Sequence, residues 1–322
     1  MKTSFIKSVT LAAAVVLSLV LSIVPAAWAS TFTNLYVFGD SLSDAGNLFV
    51  ATGLPGPPYD GRYSNGPVWV EYLAADLGLP TLTPSLAGGT DFAWAGAETG
   101  TGLSAVSTPN LGAQVSTYLG AVSHHADPGG LYVVWAGPND VFDFGSSVNV
   151  ATSAQNIQAA VQGLFNAGAR QFIVPNMPPL DKTPYGIGNP ALAPALAAAS
   201  VGFNSYLATD LDSLRTQDAG IEIHNLSLSD PTANVYDLFN QWIANPPPGI
   251  TNVTTAAYDP SQNPSLVPDP DSYFFWDSVH PTTKIDQLLA EAVVPEPSTL
   301  ALLGAGAIAM LAFVWRRSGA KA

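Results

Sequence analysis

Cysteine is absent from the 322 residues, which excludes a disulfide framework, a thiolate nucleophile and any cysteine-ligated zinc or iron–sulfur centre. Positive charge is scarce: ten Lys and Arg stand against 24 Asp and Glu, a formal net charge of -14. A surface of that sign repels phosphate backbones and argues against nucleic acid as a partner. Two hydrolase signatures are missing as well, the G-x-S-x-G elbow of an α/β-hydrolase and the H-E-x-x-H helix of a zinc protease. Mean hydropathy is nevertheless +0.24, and the two ends of the chain explain why.

Residues 1–29 run from Lys2 and Lys7 through an apolar stretch, Leu11 to Val24, to Ala27-Trp28-Ala29. A basic start, a short apolar core and small residues around a cleavage point describe a secretory signal peptide. At the other end Val294-Pro295-Glu296-Pro297-Ser298 precedes an uncharged stretch from Thr299 to Trp315, followed by Arg316, Arg317 and Lys321. That stretch is just long enough for a transmembrane helix over 299–315, with its basic flank cytoplasmic. Pro-Glu-Pro, apolar span and basic terminus together resemble the PEP-CTERM sorting signal of Gram-negative bacteria. The resemblance implies an exported protein with a transient inner-membrane anchor, handled by the export machinery and an exosortase-type peptidase, and residing in the cell envelope or outside the cell.

Between the ends, residues 30–293 form the expected catalytic domain. They carry five basic residues, Arg62, Arg170, Lys182, Arg215 and Lys284, against 23 acidic ones, a balance near -18. Half of the basic residues therefore lie in the targeting segments. Short apolar runs at Asn34 to Phe38, Leu131 to Trp135, Arg170 to Pro175 and Gly220 to Asn225 suit strands buried on both faces, and Gly88 to Trp94, a fainter pattern, is the fifth. Helical patterns lie between them at Pro67 to Leu77, Asn110 to Leu119, Val150 to Ala167 and Ala191 to Gln217. This alternation predicts a three-layer α/β/α domain with a doubly wound, mostly parallel five-stranded sheet, ligands binding beyond the carboxyl ends of the strands. Segments 52–66, 179–190 and 244–272, rich in Pro, Asn and Asp, read as loops.

Three of these strand ends and loops hold residues suited to acyl transfer. Ser41 follows the first strand in a Gly39-Asp40 turn, where a hydroxyl is a nucleophile if a base lies within reach, and otherwise a helix cap. Among four histidines, His280 has a carboxylate three residues earlier, Asp277, able to fix the Nδ1–H tautomer and leave Nε2 as acceptor. His124 and His125 fit the end of a surface helix, and His224 lies in a strand pattern. Asn139, in Gly137-Pro138-Asn139-Asp140, ends another strand, where a side-chain amide can donate to an oxyanion. Asp269-Pro270-Asp271 offers two carboxylates, which in a Pro-rich loop are usually just solvated, so no metal is expected.

Gly39-Asp40-Ser41-Leu42, Gly137-Pro138-Asn139-Asp140 and Asp277-Ser278-Val279-His280 resemble, in order, three blocks of the SGNH or GDSL hydrolases. Asp91-Phe92-Ala93-Trp94-Ala95-Gly96-Ala97 resembles the remaining block, with Asp91 where Asn is commoner and Trp94 bulky for the position. Gly61 to Trp69, Val174 to Leu180 and Phe203-Asn204 add similarity to the lipase-like branch. The resemblance implies the flavodoxin-like fold of that family, a Ser41, His280, Asp277 triad, and an oxyanion hole made of the Ser41 and Gly96 N–H groups with the Asn139 amide. It also implies that Asp44 and Asn47 brace the nucleophile turn, and that no cofactor or metal takes part. The expected activity is hydrolysis of carboxylic esters, lipid or other acyl esters, through an acyl-enzyme. Deacetylation of exopolysaccharide, or a catalytically silent surface protein on the same scaffold, stays open.

Overall fold

The computed structural model describes residues 32–225, 234–260 and 266–293. The expected signal peptide and the expected transmembrane helix over 299–315 lie outside the described residues. Among the described residues no helix is long and apolar enough to cross a membrane.

Four strands, β1 (Leu35–Gly39), β2 (Leu131–Trp135), β3 (Gln171–Val174) and β4 (Glu222–Asn225), form a parallel sheet in the order β1-β2-β3-β4. Side chains alternate across a strand, and the two faces separate accordingly. Leu35, Val37, Leu131, Val133, Trp135 and Ile173 pack on one side against α2 (Trp69–Asp76), α8 (Val235–Ala244) and α9 (Thr283–Val293). Phe38, Tyr132, Val134, Phe172 and Val174 pack on the other against α3 (Leu111–Ala121), α5 (Val150–Ala167) and α7 (Ala193–Gln217). The result is the expected α/β/α layering. Its helices follow from local signals. In α5 the Asn149 side chain accepts from Thr152 N–H at 3.3 Å, the buried stripe Ala154, Ile157, Val161 and Leu164 steps by three or four residues, and Gly168 ends the run. In α7 the stripe runs Leu196, Phe203, Leu207, Leu211 and Leu214.

The fifth expected strand, 88–94, takes the sheet position outside β1 without forming a regular strand. Val37 N–H donates to Thr90 O (3.1 Å), Phe92 N–H to Val37 O (2.7 Å) and Trp94 N–H to Gly39 O (3.0 Å), and the ladder reduces to a bridge at Asp91. The missing rung is that of Gly39 N–H, which donates to Gln114 Oε1 (2.9 Å) instead of Phe92 O, while the Asp91 carboxylate turns inward to accept from Ala93 N–H and Ala45 N–H. Counting this segment in chain order, the sheet reads 2-1-3-4-5, whose direction reverses at β1. Segment 244–272 departs from the loop expected there: it contains β5 (Asn252–Ala256), which pairs in parallel with β6 (Tyr273–Phe275) in a second, two-stranded sheet. The alternation of Val253, Thr254 and Thr255 is too short and polar to stand out, and only pairing with the buried Phe274 and Phe275 makes it a strand. The short helices α1 (Asn47–Thr52), α4 (Pro138–Phe144) and α6 (Pro184–Gly188) and four 3₁₀ turns complete the described elements.

Candidate active site

Strand β1 ends at Gly39 because only glycine fits there: a Cβ would lie 2.2 Å from Trp135 O on β2. The Gln114 side chain holds this residue from the α3 side, accepting from Gly39 N–H (2.9 Å) and donating to Gly39 O (2.8 Å). Ser41 follows, 8 % exposed, at the carboxyl edge of the sheet. The turn is braced as the resemblance implied. Asp44 accepts from Gly46, Asn47, Leu48 and Ala95 N–H. The Asn47 amide donates to Asp91 O and Ala93 O. Asp44 and Asn47 are thus the clamp between the nucleophile turn and the loop that carries Gly96.

His280 reaches the turn from the loop between β6 and α9. Its Nε2 lies 2.8 Å from Ser41 Oγ, and its Nδ1 lies 2.9 and 2.8 Å from the two oxygens of Asp277. A carboxylate is the acceptor for Nδ1–H, so Nε2 is left to accept the Ser41 hydroxyl proton. Asp277 is buried and accepts also from Val279 N–H, His280 N–H and Tyr59 O–H. Burial by itself would raise its carboxyl, but the His280 charge and these N–H donors outweigh it and hold Asp277 below the usual carboxylate range. The loop is anchored by Ser64, whose hydroxyl oxygen lies 3.1 Å from both Pro281 O and Asp286 Oδ2, and by Asn65, which accepts from Thr283 N–H.

Of the three expected oxyanion donors, Ser41 and Asn139 line one cavity, and Gly96 does not line it. Gly96 sits at φ +80°, where a Cβ would lie 2.4 Å from Val106 Cγ2. Asn139 opens α4, its Nδ2 donating to Ala97 O at 2.9 Å. Among the described residues neither the Ser41 nor the Gly96 N–H has an acceptor. Asp140 ties the two loops together, accepting from Thr99 N–H, Thr99 O–H and Ser153 O–H. Burial pushes the Asp140 carboxyl up.

Ser41, Asn139 and His280 line a cavity of about 40 Å³ whose walls include Leu42, Phe142, Phe239, Ile243 and Phe275. A water molecule needs roughly 10–15 Å³ on this measure, so the enclosed part has room for about three. Asp40 lines the same cavity; its Oδ1 accepts from Leu42 N–H at 3.0 Å, and its buried Oδ2 has no partner among the described residues. Burial raises the Asp40 carboxyl to about 7, against the lowering effects of the Leu42 N–H and the His280 charge.

Neither His124 nor His125 lines this cavity. His124 and His125 follow the end of α3, His124 at φ +61°, and His224 falls in β4. Asp271 accepts from Asn65 at 2.9 Å, and no group of three or more His, Asp or Glu suited to a metal occurs among the described residues. The lipase-like blocks act as a frame: Asn204 exchanges two hydrogen bonds with the Met177 backbone, next to Pro178 and Pro179 of the cavity wall. Residues the sequence did not single out include Tyr59, Gln114 and Thr99. Each is one of many like residues with no pattern of spacing, and only the folded arrangement distinguishes them.

The family profile described as GDSL-like Lipase/Acylhydrolase matches residues 35–293, and the profile of the PEP-CTERM protein-sorting motif matches 293–318. Lipase 1 of Photorhabdus luminescens is 36% identical over 173 residues, which is 52% of this chain and 25% of that protein. The chain thus spans a quarter of that relative's length. Phosphatidylcholine-sterol acyltransferase of Aeromonas hydrophila is 25% identical over 81% of this chain and 88% of its own length. An acetylesterase of Thermothelomyces thermophilus is 27% identical over 80% and 86%.

Proposed function

The chain belongs to the GDSL-like Lipase/Acylhydrolase family and is a carboxylic ester hydrolase with a serine nucleophile, and we propose that Ser41, His280 and Asp277 form the triad that cleaves the ester. The observation that carries the reading is the continuous chain from Ser41 Oγ through the His280 ring to the Asp277 carboxylate, at 2.8 Å and 2.8 Å. His280 takes the hydroxyl proton as Ser41 attacks the ester carbonyl, and returns it to the leaving alcohol, a contribution of about 10²- to 10⁴-fold. Asp277 holds the ring in its Nδ1–H tautomer and stabilises the imidazolium. The Ser41 and Gly96 N–H groups and the Asn139 amide receive the tetrahedral oxyanion, and a water molecule, activated by the same histidine, then releases the acid. None of these steps calls on a cofactor.

The small apolar cavity favours short acyl groups, acetyl to butyryl. The acetylesterase among the relatives supports that side of the reading. The same cavity is compatible with acetyl groups carried on exopolysaccharide. We further infer three segments: a signal peptide over 1–29, the hydrolase domain over 30–293 and a sorting signal over 294–322 whose helix anchors the exported protein until an exosortase removes it. The PEP-CTERM match supports export.

Hydrolysis of p-nitrophenyl acetate, butyrate and palmitate, with acetylated polysaccharide alongside and Ser41→Ala as control, tests the function. Turnover that falls from acetate to palmitate and vanishes in Ser41→Ala is expected. Undiminished activity, or undiminished fluorophosphonate labelling, in Ser41→Ala refutes the nucleophile.

A further inference from the structure

The Asp277 carboxylate has about four lone-pair sites to fill. Val279 N–H and His280 N–H occupy two of them and His280 Nδ1–H a third. The fourth donor comes from far away in sequence, the Tyr59 hydroxyl at 3.0 Å from Asp277 Oδ2. We propose that Tyr59 is a positioning residue of the triad: its hydroxyl completes the Asp277 carboxylate, sets its tilt against the His280 ring and keeps water from its last acceptor site. The inference rests on the reading of Asp277 and His280 as the triad pair.

Three features make this bond more than a surface contact. The Tyr59 ring is held edge-on by Tyr63, Tyr258 and Trp276, with centroids 5.6, 5.7 and 5.6 Å away, so the hydroxyl has little freedom to leave. Burial, and after it the Asp277 charge, push the phenol far up, so it stays a donor at any working pH. Behind the bond lies a cleft of about 580 Å³ lined by Tyr59, Tyr258 and Asp277, ample for water. Without the hydroxyl, the carboxylate faces that cleft.

The electrostatic consequence has a sign. A hydrogen bond donated to the carboxylate spreads its negative charge and weakens its pull on Nδ1–H. Removing the donor concentrates the charge opposite Nδ1 and favours the imidazolium. The ionisable groups around this pair are Asp40 and Tyr63 beside His280, Tyr63 and Tyr258 beside Tyr59, and Tyr185 and Asp259 in the lining of the cleft; Tyr59→Phe leaves all of them in place. Tyr59 does not line the cavity at Ser41, so substrate binding should be unaffected.

The carboxylate's lost tilt opposes that gain in imidazolium stability and outweighs it, so Tyr59→Phe is expected to lower kcat about 3- to 10-fold with KM unchanged, the range of one net hydrogen bond. The acid limb of kcat/KM should move up by roughly half a pH unit, and the His280 Nδ1 proton resonance should move downfield. A 3-fluorotyrosine at position 59, a stronger donor in the same ring, should move the limb the other way. Tyr258→Phe, which keeps the packing and makes no bond to Asp277, should leave the limb in place. A Tyr59→Phe enzyme with the wild-type limb and resonance, or a Tyr258→Phe enzyme shifted as far, overturns the proposal and leaves Tyr59 a packing residue. Retained activity in Ser41→Ala would instead overturn the triad itself, so the two failures are distinguishable.

Discussion

Replacing Asp40 by Asn should remove a pH-dependent destabilisation built into the nucleophile turn. Asp40 is 1 % exposed, and among the described residues its carboxyl accepts from the Leu42 N–H through Oδ1 while Oδ2 has no partner. Its carboxyl rises from 3.8 to about 7, chiefly through burial. The folded protein therefore holds a proton on Asp40 between those values while the unfolded chain has lost it, and stability falls as pH rises through that window. At ~1.4 kcal/mol per pH unit, a window of about three units is worth roughly 4 kcal/mol. Most of this is already lost at pH 7 and all of it above. Asparagine keeps the acceptor for Leu42 N–H and has no charge to lose. Its own unpartnered amide adds a constant offset, so the slope with pH is the test and the absolute stability is not. Urea unfolding at pH 4, 6 and 8 should show the stability of Asp40→Asn relative to wild type rising by about 3–4 kcal/mol across the range. Parallel pH dependences, within about 0.5 kcal/mol, would refute the reasoning and place a cation or water at Oδ2 that keeps the carboxylate ionised.

Other perturbations test the remaining parts of the site. Asn139→Ala should lower kcat about 10²- to 10³-fold with little change in KM, as expected for a donor felt mainly by the oxyanion; steady-state kinetics on p-nitrophenyl butyrate decide it, and an unchanged kcat would remove Asn139 from the hole. Asp277→Asn should cost about 10³- to 10⁴-fold in kcat while the fold persists, measured as activity beside circular dichroism. Gly96→Ala combines a Cβ 2.4 Å from Val106 with a φ of +80°, so it should lose roughly 1–2 kcal/mol or more of stability, and Val106→Ala should restore only the steric share. Asp140→Ala strips acceptors from Thr99 N–H, Thr99 O–H and Ser153 O–H; leaving them unpaired should cost about 2–4 kcal/mol, read as a lower Tm with loss of activity.

How much of the site could be read before folding depends on whether the signal was local. The Asp277 to His280 spacing is local: three residues bring the carboxylate under Nδ1 within one turn of loop, and the structure keeps that geometry. Ser41 and Asn139 were legible because each sits directly after a buried apolar run, and parallel strands deliver their carboxyl ends to one edge. Tyr59 had no such mark, since its partner lies 218 residues away. The Gly88 to Trp94 pattern suggests a strand correctly in place but not in form, because the distant Gln114 side chain takes the Gly39 N–H that the ladder would need. Strand β5 was missed for the opposite reason: its polar sequence acquires strand character only by pairing with β6.

By itself, the sequence determined what acts over short range: which runs are apolar enough to be buried strands, where glycine ends them, which ends of the chain read as targeting segments, and that in a chain without cysteine the nucleophile of this family must be an oxygen. Tertiary structure decided what distance in the chain hides. It closed 239 residues between Ser41 and His280 to a 2.8 Å contact, gathered Ser41, Asn139 and His280 around one largely apolar cavity, and left one Asp40 oxygen without a partner among the described residues. Pattern reports whether a residue prefers to be buried. Only packing sets which groups are buried together, and at the distances where charges and protons respond to one another.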